Sequence, residues 1–341
     1  MPAPVFIVGA NRSGTTLLRL ILNAHSALAI PDEISYFYSF RGRTPFHRWR
    51  TPGMDRAAYD RFVADFFAAN RSVVPELDLD ALRRAVVADP IDLRRPYEAL
   101  LTAWAAHHDK PRWGEKTPGN LFWSDVLIDM FPDARFVHMV RDPRACVASM
   151  QRVDFFPSNV VFNALNHRKS LTAGRALLEA HVPTEQRCLV RYEDLVHDPE
   201  AVVRAVCTFI DLPFEPAMLA YHERAARYMT PAAARSFNAT ATRPIAPQRA
   251  EAWRDRLSPR DIALVEAISG AVMRPLGYAP DDAPPLPWMA RARRLWPQAL
   301  YWHWQNWRNR HIRHFTVQSP MFARWRQRTH RWKQRLHLAR T

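Results

Sequence analysis

The chain has 341 residues, 48% of them hydrophobic, with 48 Lys and Arg against 33 Asp and Glu and a net charge of +15. That length allows one large domain with additions, or two, and no run approaches the 18 apolar residues that a membrane-spanning helix needs. The three cysteines, Cys146, Cys188 and Cys207, form no metal-type cluster and leave an odd count, which argues for buried free thiols in a reducing compartment. The first strand starts almost at the N-terminus, with no basic and apolar leader before it, so a cytoplasmic protein is expected.

Val5 to Val8 is a short apolar run that reads as a buried strand. It breaks at Gly9. The polar loop Ala10-Asn11-Arg12-Ser13-Gly14 follows, then Thr15-Thr16 and an apolar helix from Leu17 to Leu22. Strand, glycine-bearing loop and helix form the frame of a phosphate-binding loop, in which backbone N–H groups and a helix N-terminus converge on an anion. The spacing from Gly9 to Gly14 is that of G-x-x-x-x-G, but Thr15 stands where a nucleotide hydrolase has its lysine. The cation sits inside the loop, at Arg12. Such a loop holds a phosphate-like anion and lacks the part that handles a γ-phosphate.

A second apolar run, Ala27 to Ile30, ends at Pro31-Asp32-Glu33. Ser35 to Arg50 is aromatic and basic and reads as a loop or short helices lining an opening, or as a flap packed on the core. From Met54 to His108 the apolar spacing is helical, with Pro75, Pro90 and Pro96 expected to separate the helices; this segment reads as a helical insertion. Arg112 to Glu115 is a short strand, and Thr117-Pro118 after Lys116 has the pattern of an N-cap and first helical residue. Arg135 to Val140 is a strand ended by Arg141, and Asp142-Pro143 repeats the cap pattern. Cys188 to Tyr192 is a further strand, with helices expected from there to about Met273. The polar stretch Ser236 to Trp253 interrupts them as a loop.

Strands alternating with helices predict a parallel sheet. The junctions after its strands then lie along one edge, where ligands bind. Arg12, Lys116 and Arg141 each stand at such a junction, before an expected helix N-terminus. Three cations and three N-termini on one edge suit a ligand with more than one anionic group.

These residues resemble the sulfotransferases that use 3′-phosphoadenosine 5′-phosphosulfate (PAPS), in particular the branch of tyrosylprotein sulfotransferases and their bacterial relatives. Arg12, Ser13, Gly14, Thr15 and Thr16 look like that family's 5′-phosphosulfate loop. Arg141 with Ser149, in RDPRACVAS, looks like its 3′-phosphate motif. Glu33 falls where the branch places its catalytic base, Lys116 in GEKTP where it places a sulfate-contacting lysine, and Tyr192 in VRYEDL resembles a cofactor contact. The resemblance covers residues 4 to about 275. It implies an α/β, P-loop-type three-layer fold with a parallel central sheet over residues 1–280, with PAPS as co-substrate and no required metal. Near Trp253 relatives often carry a Ser and a preceding basic residue; Gln248 and Arg249 are the nearest candidates here. A P-loop kinase or NTPase and a non-catalytic nucleic-acid binder are the competing classes. The missing loop lysine argues against the first, and the lack of a nucleic-acid fold signature against the second.

Residues 281–341 lie outside the resemblance. They hold 13 Lys and Arg with two acids, so +11 of the net +15 sits there, and seven of the 12 tryptophans. Both halves of this tail read as helical, with a break near Ser319-Pro320. Trp beside Arg on a helix of modest hydrophobicity is the composition of an interfacial segment. The expectation is peripheral attachment to an anionic inner membrane face and a lipid or glycan acceptor; the alternative is a tail packed on the body.

Overall fold

Val5–Gly9 (β1) is buried along its whole length, as a strand must be when helices cover both of its faces. It is the middle of a five-stranded sheet with Leu28–Ala29 (β2), Arg112–Lys116 (β3), Arg135–Val140 (β4) and Arg187–Arg191 (β5), in the order β2-β3-β1-β4-β5. Every pairing is parallel, and the register sets Ile7 opposite Lys116 on one side and Val137 on the other. The computed structural model describes residues 2–39, 55–88, 90–153, 156–229, 239–281, 296–297 and 299–304.

The helices in chain order are Thr15–Asn23 (α1), Tyr36–Ser39 (α2), Arg56–Asn70 (α3), Leu79–Ala88 (α4), Arg94–His107 (α5) and Ser124–Met130 (α6). Pro143–Met150 (α7), Val160–Lys169 (α8), Arg175–His181 (α9), Tyr192–His197 (α10), Pro199–Phe209 (α11) and Pro259–Met273 (α12) follow. The period-2 alternation of β1 builds two cores. Phe6 and Val8 join the insertion helices α3 to α5 on one face, while Val5 and Ile7 join α1, α10 and α11 on the other. The three-layer parallel architecture implied by the resemblance is present. The helical insertion is present as well, and its Phe62, Phe66, Leu79, Val86, Tyr97, Leu100 and Trp104 are all core.

Several local expectations are corrected. Pro96 lies inside the first turn of α5, where its missing N–H costs nothing, rather than between helices. Pro118–Trp123 is a 3₁₀ segment ahead of α6, so the expected single helix to Met130 is two pieces. Thr117 does not cap it; its hydroxyl is spent on Glu115. Tyr192 opens α10 rather than closing β5. Between α11 and α12 the described chain makes short 3₁₀ turns, not α-helices. Phe40, Phe46 and Trp49 of the aromatic wall, part of the 236–253 loop, and the tail's break at Ser319-Pro320 lie outside the described residues.

Candidate functional site

The loop from Gly9 to Gly14 is shaped by close approach. A Cβ at Gly9 would stand 2.4 Å from the Met139 carbonyl oxygen, and one at Gly14 would stand 2.4 Å from the Tyr192 ring. Arg12 (φ 68°) and Gly14 (φ 99°) both adopt left-handed backbone, which for Arg12 costs energy that its surroundings must supply. Ser13 is fully buried, and its Oγ donates to the Ala10 carbonyl at 2.7 Å. Its side chain therefore ties the turn together and is not on the cleft wall. Gly14 is the N-cap of α1, with no side-chain cap and no acid in the first turn. The dipole end of α1 is thus open to an anion from the cleft.

The expectation of three such N-termini is corrected at the other two junctions: after β3 the chain enters the 3₁₀ segment Pro118–Trp123 rather than an α-helix, and after β4 the helix end is already filled. The Asp142 carboxylate accepts from Arg144 N–H and clamps the Arg144 guanidinium, and the Asp142 N–H donates to Glu193. Arg144 also reaches Glu266 at 2.7 Å and lies over the Trp253 ring. The N-terminus of α7 is satisfied from within. What this junction contributes is the Arg141 side chain.

A cleft of about 330 Å³ opens above the carboxyl ends of the strands. Arg12, Gly14, Thr15, Thr16, Glu33, Arg141, Ser149 and Tyr192 line it, so eight of the ten singled-out residues meet at one place. Arg12 Nε donates to Ser149 Oγ at 3.0 Å, which joins the β1 loop to α7. Arg141 donates to the Arg249 carbonyl at 2.9 Å and lies 3.9 Å from the centre of the Tyr192 ring. Lys116 is not on the wall. It lies 1% exposed beneath Glu33 and donates to Glu33 Oε1 at 2.7 Å, with Thr16 Oγ1 at 3.5 Å. The Glu33 side chain is 53% exposed, so the carboxylate is held from below and reachable from above. Arg19, fully buried, bonds Asp32 at 2.7 Å and the Ile30 carbonyl, which fixes the turn that presents Glu33.

Of the two candidates near Trp253, Arg249 is on the same wall and Gln248 is not among its lining residues; sequence reasoning missed two further arginines there, Arg152 and Arg256. No motif marks Arg152 or Arg256, and charge near Trp253 was the only available signal. Burial, then Arg141, lowers the Arg12 pKa; burial, then Arg152, Arg141 and Arg249, lowers that of Arg256. Cations that push on one another across a cleft, with Glu33 the one acid on its described wall, favour a polyanionic ligand. Among the described residues no group of three His, Cys, Asp or Glu is placed to hold a metal ion. Burial pushes the thiols of Cys188 and Cys207 up to about 12 and about 11 and raises Cys146 as well, so none is poised as a nucleophile.

A parallel three-layer sheet, an anion loop without a Walker lysine, and a second cationic station on the next strand define a nucleotide-dependent group transferase of the P-loop type. The model of the sulfotransferase family matches residues 4–216, and the chain belongs to that family. It is a transferase that moves a sulfuryl group from PAPS to an acceptor. Protein-tyrosine sulfotransferase A of Caenorhabditis elegans is 24% identical over 291 residues, covering 82% of this chain and 68% of its own length. Protein-tyrosine sulfotransferase 1 of Danio rerio is 28% identical over 291 residues, covering 82% and 74%. Among solved structures, the sulfotransferase domain from the curacin biosynthetic pathway aligns with a TM-score of 0.57 at 21% identity, over 82% of this chain and 99% of that domain. The sulfotransferase domain of the Synechococcus PCC 7002 olefin synthase gives 0.56 at 23%, over 82% and 97%. At these identities the two structures speak for the fold.

Proposed function

We propose that the two ends of the cleft divide the reaction. Arg141 and Ser149, with Arg152, Arg249 and Arg256 around them, hold the 3′-phosphate of the nucleotide. The open end of α1, with Arg12, Thr15 and Thr16, holds the 5′-phosphosulfate. Glu33 accepts the proton of the acceptor hydroxyl as its oxygen bonds to sulfur and the sulfur–phosphate oxygen bond breaks, the electron pair leaving with the phosphate. Lys116 and Arg12 stabilise charge on the sulfuryl oxygens and on that leaving phosphate. Lys116 also holds the Glu33 carboxylate in place through their 2.7 Å contact.

The observation that carries this reading is the Lys116–Glu33 pair at 2.7 Å, on the same cleft as the Arg12–Ser149 bond at 3.0 Å. Calorimetry tests it. The protein should bind 3′-phosphoadenosine 5′-phosphate and discriminate against ATP; tight ATP binding with no preference for a 3′-phosphate would favour the kinase-like class instead.

The finer part of the proposal concerns the acceptor: a lipid or glycan hydroxyl presented at an anionic inner membrane face. It is supported by the charge and tryptophan content of residues 281–341. At the start of that tail Trp296 and Leu300 stand 67% and 60% exposed. Trp302 instead turns inward, its Nε1 donating to Asn166 on α8 at 2.9 Å. No described helix is long and apolar enough to cross a membrane; the attachment proposed is peripheral. Each basic residue at such a surface contributes about 1 kcal/mol. Vesicle flotation with anionic and neutral lipids, comparing the full chain with one ending at Pro280, decides the matter. Equal flotation of the two removes the membrane role, and a tyrosine acceptor like that named for the relatives then takes precedence.

A further inference from the structure

Glu115 is a completely buried carboxyl beside this site and is not among the residues that line the cleft. Strand alternation on β3 sends it to the face opposite Lys116. An ionisable group in such a place is expensive unless every oxygen is answered. Here both are: Thr117 Oγ1 donates to Oε1 at 2.5 Å and Asn120 Nδ2 to Oε2 at 2.7 Å.

The partners reach outward to the elements that build the reaction centre. Thr117 Oγ1 also stands 3.5 Å from the carbonyl of Ile34, the residue after Glu33. Asn120 lies 3.3 Å from Tyr97 Oη on α5. Tyr97 in turn stacks on Tyr36, in the segment that follows Glu33, with ring centres 4.4 Å apart. The network therefore ties the end of β3, the Glu33 turn and the helical insertion into one unit. A buried network of this kind rigidifies what it connects only while every member is satisfied.

We propose that Glu115 is a positioning residue for sulfuryl transfer, holding the Lys116 strand end and the Glu33 turn in register so that their ion pair meets the cleft. The inference rests on the assignment of Glu33 and Lys116 made above. Electrostatics agree with it. Burial pushes the Glu115 carboxyl up to about 7, and Thr117, Lys116 and Asn120 pull it down. The charge of Glu33 adds a smaller upward push, the last of these influences. The charged and titratable groups whose fields reach Glu115 are Lys116 of its own strand, Glu33 from the turn after β2, and Tyr97 of α5.

The test is Glu115→Gln in the full chain, which keeps the shape and removes the charge. Thr117→Val, which cuts the link to Ile34, is the second variant. Release of 3′-phosphoadenosine 5′-phosphate from PAPS is followed with 4-nitrophenol and with a tyrosine peptide as acceptors. Both variants should lose about 10–100-fold in kcat, the scale of one misplaced charge-assisted hydrogen bond. Nucleotide affinity should stay near wild type, and the thermal midpoint should fall only modestly, by the amount of one buried hydrogen bond. The kcat–pH profile should lose an ionisation near 7 in Glu115→Gln. In the double variant the losses should be less than multiplicative. Wild-type turnover in Glu115→Gln, or a fall in stability and nucleotide affinity in step with rate, overturns the proposal. Glu33→Gln is measured alongside: if it keeps full activity the catalytic assignment itself is wrong, whereas a dead Glu33→Gln beside a fully active Glu115→Gln removes only the role given to Glu115.

Discussion

The junction after β1 and the junction after β4 have the same pattern in sequence: an apolar strand, a polar turn with an arginine, a helix start. In the folded chain they do opposite things with the helix. The first leaves the N-terminus of α1 without a side-chain cap. The second fills the N-terminus of α7 with its own Asp142 and offers only the Arg141 side chain. The difference follows from one position. Gly14 has no side chain to cap with, and a Cβ there would strike the Tyr192 ring. Asp142 is among the best capping residues. An open helix end beside a capped one with a projecting guanidinium makes two unlike anion stations, suited to the two unlike anionic ends of PAPS.

The largest effect lies between those stations. Glu33→Gln should lower turnover by about 10²–10⁴-fold, with binding of 3′-phosphoadenosine 5′-phosphate nearly unchanged. If nucleotide affinity falls as much as rate, Glu33 serves Lys116 as a structural partner and nothing more. Next in size is Arg141→Ala, which should weaken 3′-phosphoadenosine 5′-phosphate by about 10–100-fold, the scale of a lost hydrogen bond to a charged group. Adenosine 5′-phosphosulfate should be spared, since it has no 3′-phosphate. Equal losses for both nucleotides would merge the two stations into one.

Asp142→Ala attacks the contrast from the other side. It removes the cap of α7 and leaves the buried Arg144 guanidinium with Glu266 alone. Thermal and denaturant unfolding should show about 2–4 kcal/mol of lost stability, the cap and one partner of a buried pair together. The preference for a 3′-phosphate should survive, because Arg141 is untouched. A selective loss of that preference with stability intact would mean that the N-terminus of α7 binds the anion after all.

The central strand, its loop and the parallel sheet were legible because each rests on a local signal: an apolar run of strand length, glycines at loop spacing, apolar stripes at helical spacing. Eight site residues could be gathered from junction grammar and family resemblance. What stayed hidden depends on the third dimension. That Lys116 lies under Glu33 rather than beside the cleft follows from β3 pairing with β1 at Ile7. That Thr117 turns from capping to Glu115 follows from a buried carboxyl whose need outweighs the helix end. Arg152 and Arg256 reach the wall from segments with no motif, through the packing of α7 and the turns around Trp253. The described residues between α11 and α12 were misread as α-helical because apolar content alone does not separate 3₁₀ turns from α-helix.

The smallest effect, and the sharpest test of how the two stations communicate, is Ser149→Ala. Ser149 belongs to α7, yet its hydroxyl accepts from Arg12 Nε of the β1 loop at 3.0 Å. Together with the longer Arg141 Nη1 contact to the Arg12 carbonyl at 3.4 Å, this bond couples the two junctions. The left-handed backbone at Arg12 makes that bond matter, because the guanidinium must be held where the strained turn aims it. Removing the hydroxyl deletes one hydrogen bond with a charged donor and leaves the fold of α7 alone, since Asp142 and Pro143 still start it. Affinity for 3′-phosphoadenosine 5′-phosphate should fall by about tenfold, corresponding to about 1.5 kcal/mol. Adenosine 5′-phosphosulfate should fall too, by a smaller factor, because a loosened Arg12 serves the 5′ end as well. Arg141→Ala, by contrast, should discriminate between the two nucleotides. Calorimetry on both variants with both nucleotides separates a residue that bridges the stations from one that belongs to a single station. Complete indifference of the 5′-phosphosulfate to Ser149→Ala would show that Arg12 needs no support from α7.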